Sequence, residues 1–122
     1  MLTQDWIMRQ IETLTLTIAK LVFQKDIPDY RPGDDGRTDA DALYTSLLTL
    51  TGQGQYGDAE NLLFEAIDEA EEPCPAFLDV ANDFYARLNH LSDQELAAGS
   101  FSRQEIEDGL RDVMDQFGVE LP

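Results

Sequence analysis

The sequence predicts an all-α fold, a helical bundle of antiparallel helix hairpins with a long N-terminal helix. Apolar residues recur at spacings of three and four along most of the chain, which is the period of an amphipathic helix. Glycine, proline and Ser/Thr caps interrupt this period where helices would end. No segment alternates apolar and polar residues between turn dipeptides, so strands are not expected. The 122 residues are expected to form a single helical domain, residues 1–122.

The first element is a long helix predicted over residues 3–25. One continuous apolar stripe follows 4-3-4-3 spacing along it: Ile7, Ile11, Leu14, Ile18 and Leu21. A second apolar set lies partly off that line: Leu2, Trp6, Leu16, Val22 and Phe23. Either this helix crosses the domain and is buried by its own chain, or its other side contacts a second chain to form a homodimer.

A loop is predicted over residues 26–37, which contain two prolines and two glycines and show no helical period. An EF-hand loop with Gly36 at position 6 would place Arg31 at position 1 and Ala42 at position 12, where acidic ligands are required. Calcium binding is therefore not predicted. Turns and helix caps account better for the aspartates of this region: Asp26, Asp29, Asp34, Asp35, Asp39 and Asp41.

A helix hairpin is predicted over residues 38–72. Thr38 opens its first helix, with Asp41 placed three residues later as in a capping box. A turn at Gly52 and Gly54 joins the two helices, and so short a link makes them antiparallel. Several positions resemble one tetratricopeptide repeat: Leu43, Leu47, Leu50, Gly54, Tyr56, Ala59, Leu63 and Ala66. The resemblance covers about a quarter of the chain, and it departs from the repeat at Leu47, where a small residue is usual.

Three further helices are predicted: residues 75–91, 92–98 and 102–117. The last two begin with capping boxes, Ser92 with Glu95 and Ser102 with Glu105. A shift of 34 residues carries the leucines of the hairpin's first helix onto three apolar positions of helix 75–91: Phe77, Ala81 and Phe84. Helix 75–91 therefore looks like the start of a second repeat whose second half is displaced.

The opening segments QDWIMRQIE (4–12) and IAKLVF (18–23), with the acidic hairpin after them, are similar to a family of short bacterial proteins of unknown function, found mainly in Gram-positive species. This similarity covers nearly the full length. The similarity implies a bacterial, cytoplasmic protein, and it supplies no biochemical activity and no functional site.

Charge restricts the partners that the protein can have. The chain carries 25 acidic and 8 basic residues, for a net charge of −17. The formal charges of residues 1–25 sum to +1, so the remainder of the chain carries a net charge of −18. Such a surface repels nucleic acid and anionic membranes and attracts a basic protein. The alternative is that the charge only keeps the protein soluble.

A cytoplasmic protein without membrane contact is expected. No apolar run approaches the ~20 residues that cross a bilayer, and the N-terminus MLTQDWIMRQ lacks the features of an export signal. The single cysteine agrees with a reducing compartment.

No residues are predicted to be catalytic, to bind a cofactor or to ligate a metal. Cys74 and His90 are the only thiol and imidazole, and they lie at opposite ends of one predicted helix, roughly 20 Å apart. The acidic residues near the third and fourth helices lack the Glu-x-x-His pattern of a metal site in a helix bundle. They are expected to form a solvated face: Glu60, Glu65, Asp68, Glu69, Glu71, Glu72, Asp79 and Asp83.

Two functional classes follow from these observations. The first is a non-enzymatic protein-interaction or adaptor domain with a basic or apolar protein partner. The second is an acidic regulator that mimics nucleic acid to occupy a basic protein. An enzyme is not expected.

Overall fold

The computed structural model describes residues 2–33 and 38–121, with side chains from residue 5 onward. This part of the chain forms six α-helices and no strands. The helices are α1 (Leu2–Phe23), α2 (Asp39–Gly52), α3 (Tyr56–Glu69), α4 (Pro75–Asn89), α5 (Asp93–Ala98) and α6 (Arg103–Gln116). The predicted all-α bundle is confirmed. In these described ranges no helix is long and apolar enough to cross a membrane.

Helix ends follow the capping residues that the sequence indicates. Thr38 Oγ1 accepts a hydrogen bond from the Asp41 backbone N–H at 3.1 Å. Ser92 and Glu95 form the reciprocal capping box at the start of α5. Ser102 starts α6 and accepts from the Glu105 backbone N–H at 3.1 Å. The Glu105 side chain accepts from the Ser102 hydroxyl at 3.0 Å and not from its backbone N–H, so the reciprocal capping box predicted there does not form. The α2–α3 turn passes through Gly54, whose φ of +76° lies in the left-handed region that favours glycine.

Helix α4 lies at the centre of the molecule, because it contacts α1, α2 and α6. Eleven of its fifteen residues are buried, so its polar side chains must find partners inside the protein. Three polar residues are among the eleven: Asn82, Asp83 and Asn89. One hydrophobic core draws on all six helices, from Ile7 in α1 to Met114 in α6.

The hairpin of α2 and α3 forms as predicted, with the two helices packed on each other. Phe77, Ala81 and Phe84, the expected start of a second repeat, are buried. The following helix α5 has six residues, however, and α4 is covered by α1 and α6. The likeness to a tetratricopeptide repeat therefore stays a resemblance of residues 40–71.

The apolar stripe of α1 is buried by its own chain along part of its length. Ile7, Ile11 and Ile18 are buried, Leu14 is half-buried, and Leu21 is 57% exposed. A seven-residue repeat drifts by about 20° per heptad on a straight α-helix. The line from Ile7 through Leu14 to Leu21 therefore rotates out of the core, which corrects the expectation of a continuous buried stripe. Three residues of the second apolar set are also exposed: Trp6, Leu16 and Val22.

Candidate functional site

A groove of about 400 Å³ lies between α1 and α4, and residues 24–33 close it on one side. We call it the α1–α4 groove, and we call residues 24–33 the covering segment. The volume of the α1–α4 groove lies within the range of about 300–1,000 Å³ that is usual for ligand pockets. The groove is lined by Glu12, Thr15, Leu16, Ile27, Pro28, Asp29, Asp83, Ala86, Arg87, Asn89 and His90.

The first anchor of the covering segment is Lys25. Its Nζ lies 2.7 Å from Asp79 Oδ2 on α4 and donates to the Asp29 carbonyl oxygen at 2.7 Å. The chain leaves α1 at Gln24, whose φ of 56° is left-handed. Because the segment turns back at this point, Ile27 and Pro28 are brought over the groove.

The second anchor is Asp83, a buried carboxylate on α4 that receives three hydrogen bonds. Its Oδ2 accepts from the Tyr30 backbone N–H at 2.8 Å and from the Tyr44 hydroxyl at 3.1 Å. Its Oδ1 accepts from Arg87 Nε at 2.7 Å. Arg87 Nη2 in turn donates to the Tyr44 hydroxyl oxygen at 2.7 Å. This network ties the covering segment, α2 and α4 together.

Tyr30 extends the same network to α2. Its hydroxyl donates to the Asp41 carboxylate, which also accepts from the Gly33 backbone N–H at 3.2 Å. Burial and the hydrogen bond to Asp41 raise the pKa of Tyr30 to about 12. The Tyr30 hydrogen bond lowers the pKa of Asp41 from its ordinary value. Both groups therefore keep fixed protonation states near neutral pH and position the segment.

The lining of the groove combines an apolar wall with charged side chains. Its apolar wall includes Leu16, which is 40% exposed, and Ile27, which is 54% exposed. The Thr15 hydroxyl donates to the Glu12 carbonyl oxygen at 3.1 Å, so this hydroxyl is already engaged. The lining holds three carboxylates and one guanidinium, and Asp83 and Arg87 satisfy each other. The other two carboxylates of the lining are Glu12, which is exposed, and Asp29, which pairs with Arg31.

Cys74 and His90 flank α4 as predicted, Cys74 before its first residue and His90 after its last. Cys74 is half-buried and lies outside the groove. His90 is exposed and lines one end of the groove. The two residues therefore lie at opposite ends of α4.

The predicted acidic face holds only in part. Five of its carboxylates are exposed: Glu65, Asp68, Glu69, Glu71 and Glu72. Glu60 is half-buried and accepts a hydrogen bond from the Tyr85 hydroxyl at 2.7 Å. Asp79 and Asp83 were wrongly assigned to this face, because α4 is covered on most sides and buries them with Lys25 and Arg87.

The loop aspartates do not form a metal site in the described residues. Asp26 and Asp39 are exposed, Asp29 is half-buried beside Arg31, and Asp41 is buried against Tyr30. Within residues 2–33 and 38–121, no group of three or more His, Cys, Asp or Glu residues is arranged to hold a metal ion. The remaining two aspartates lie outside the described residues: Asp34 and Asp35.

Sequence reasoning missed the groove and the network beneath it. One signal was present, because Asp79, Asp83 and Arg87 recur at spacings of four within the apolar pattern of α4. A carboxylate followed by arginine four residues later is a usual helix pair. Whether such a pair is buried depends on which helices cover α4, and the local sequence pattern does not contain that information.

A family model matches residues 1–118. The chain belongs to the family of unknown function DUF6483. The DUF6483 match spans all six helices and every residue that lines the groove. No curated protein and no solved structure matches the chain.

Proposed function

We propose that this DUF6483 protein is a non-enzymatic protein-interaction domain, and that its α1–α4 groove binds a basic, partly apolar segment of another protein. The observation that carries the proposal is the pairing of exposed Leu16 and Ile27 with rim carboxylates in one groove. Apolar side chains provide a place for an apolar anchor of the partner, and burial of such an anchor contributes most of the binding free energy at an interface.

Charge favours a basic partner over an acidic one. The net charge of −17 attracts and steers a lysine- or arginine-bearing segment. Glu12 lies at the groove, and the Asp29 carboxylate there pairs with Arg31, whose side chain is 80% exposed. An exposed ion pair of this kind contributes little to stability, so a cationic group of the partner can compete for Asp29. The single cysteine fits a cytoplasmic location for this binding.

Selection of short random peptides on the purified protein tests the proposal. We expect enriched peptides to carry lysine or arginine next to leucine, isoleucine or an aromatic residue. Ile27→Lys removes an apolar contact and adds a positive charge, so it should raise the dissociation constant of these peptides at least about tenfold. Leu48→Lys is the matched control, because Leu48 is exposed on α2 outside the groove and the charge change is the same.

Two results would overturn the proposal. One is enrichment of peptides that lack basic residues. The other is equal binding to both variants together with complete loss of binding at ~1 M salt, where the Debye length is about 3 Å. That second result would favour the alternative of an acidic surface that mimics nucleic acid, because mimicry needs exposed carboxylates and not the groove.

A further inference from the structure

The outward side of α1 carries a second unpartnered surface, away from the groove. We call it the outer stripe: Trp6, Gln10, Thr13, Leu14, Thr17 and Leu21. At 100° per residue these positions fall within an arc of roughly 100°. Trp6 is 64% exposed and Leu21 is 57% exposed, while Gln10, Leu14 and Thr17 are half-buried. The stripe therefore begins and ends with a large apolar side chain that the protein itself leaves open to water.

The order of residues in the outer stripe is symmetric. Its spacings read 4, 3, 1, 3 and 4, so a two-fold axis between Thr13 and Leu14 exchanges its two halves. A second α1 in antiparallel orientation would then place its Leu21 on Trp6 and its Thr17 on Gln10. A two-fold interface requires this self-complementary arrangement, because each contact occurs twice.

The surface shape agrees with this pairing. A shallow depression of about 270 Å³ lies over the first half of the stripe and is lined by Trp6, Arg9, Gln10, Thr13 and Leu14. The two-fold axis brings Leu14, Thr17 and Leu21 of the second copy over this depression. Each copy supplies both a depression and the side chains that fill the other depression.

Charge favours a second copy at this surface over contact between other faces. Residues 1–25 sum to +1 and the rest of the chain to −18. Arg9 and Lys20 are both exposed on α1 and offset the negative potential there. Two copies that meet through surfaces formed by the rest of the chain would bring like charges together, which is destabilising.

We propose that two copies of this chain associate through antiparallel outer stripes, with Trp6 of each copy against Leu21 of the other. Trp6 and Leu21 are about 22 Å apart along the helix. One pair of helices of this length buries less than the ~1,200 Å² of a standard interface, so the dimer is weak. Because the monomers repel each other, added salt strengthens it, whereas salt weakens binding of a basic segment in the groove.

Sedimentation equilibrium at protein concentrations up to about 1 mM, at low and high salt, tests the dimer. We expect the mass to rise toward twice the monomer with concentration and salt, and the emission of the single tryptophan to shift to shorter wavelength. Leu21→Glu should raise the dissociation constant at least about tenfold. Leu48→Glu, with the same charge change on α2, should leave it unaltered. A monomer at every salt concentration, or equal effects of the two variants, would overturn the proposal.

Cysteine cross-linking tests the orientation. In a background with Cys74→Ala, Gln10→Cys chains mixed with Thr17→Cys chains should form a disulfide-linked pair on oxidation. Each variant alone should not, because equivalent residues of the two copies would be about 10 Å apart along the axis, beyond the Cα separation of about 7 Å that a disulfide spans. Cross-linking of either variant with itself, and not of the mixture, would refute the antiparallel arrangement.

Discussion

Gly109 is a buried glycine in the middle of α6, where glycine normally weakens a helix. A Cβ at this position would overlap the Glu60 carboxylate and the Tyr85 hydroxyl, which are hydrogen-bonded to each other at 2.7 Å. The absence of a side chain therefore lets α6 approach the contact between α3 and α4. Tyr85 is fully buried, so it cannot move aside without disturbing the core.

We predict that Gly109→Ala destabilises the protein by about 2 kcal/mol, because overpacking outweighs the gain in helix propensity of about 1 kcal/mol. Urea denaturation monitored by circular dichroism measures this change. Gly57→Ala is the matched control, because Gly57 lies near the start of α3 with open space around the added methyl group. That variant should be neutral or slightly more stable. Equal or greater stability of Gly109→Ala would contradict the packing described for α6.

The covering segment has no regular secondary structure, and α4 holds it in place. Asp83 accepts hydrogen bonds from the Tyr30 backbone N–H, from the Tyr44 hydroxyl and from Arg87. All three donors point at one carboxylate. An asparagine of the same shape would have a single acceptor oxygen, and its amide N–H groups would face donors.

We predict that Asp83→Asn costs about 2–3 kcal/mol of stability, because it leaves buried donors unpaired and removes a partner of Arg87. The covering segment should loosen first, so hydrogen exchange at the Tyr30 amide should accelerate more than exchange in α2 and α3. Asp26→Asn is the control, since Asp26 is exposed in the same segment. Uniform acceleration across the molecule, with no preference for Tyr30, would show that Asp83 does not anchor the segment.

Local sequence patterns predict the helices of this protein well and their surroundings poorly. Thr38, Ser92 and Ser102 begin helices as expected, because a cap acts within a few residues of itself. The exposure of Leu21 and the burial of Asp83 were not predicted. Both depend on the direction in which a helix meets its neighbours, which is a property of the tertiary arrangement.

Net charge and partly buried carboxylates together determine how the stability of the folded protein depends on pH. Burial raises the pKa of Glu60, and the neighbouring carboxylates Glu105, Asp112 and Asp108 raise it further, against the Tyr85 hydrogen bond. Burial also raises the pKa of Asp79, against the effect of Lys25. These folded-state carboxyls hold protons at pH values where the unfolded chain has released them. Stability therefore falls as pH rises from about 4 through the raised pKa values.

The opposite trend comes from Asp41, whose pKa is lowered by Tyr30. Its contribution to stability is complete above its ordinary pKa of about 4 and is lost only in more acidic solution. The two trends together place the maximum of stability in mildly acidic solution. Self-repulsion of a chain with a net charge of −17 acts in the same direction, because neutral and alkaline solution keeps every exposed carboxylate ionised.

We predict that the free energy of unfolding is larger at pH 5 than at pH 8, and that added salt reduces the difference by screening repulsion. Glu60→Gln should flatten the pH dependence and stabilise the protein at pH 8 by less than about 1 kcal/mol, since the carboxylate is partly open to water. Glu71→Gln makes the same charge change at an exposed position and should retain the slope. Urea denaturation across this pH range measures both variants. An equal slope in wild type and Glu60→Gln would mean that Glu60 titrates alike in the folded and unfolded chains, and that the acidic optimum arises from net charge alone.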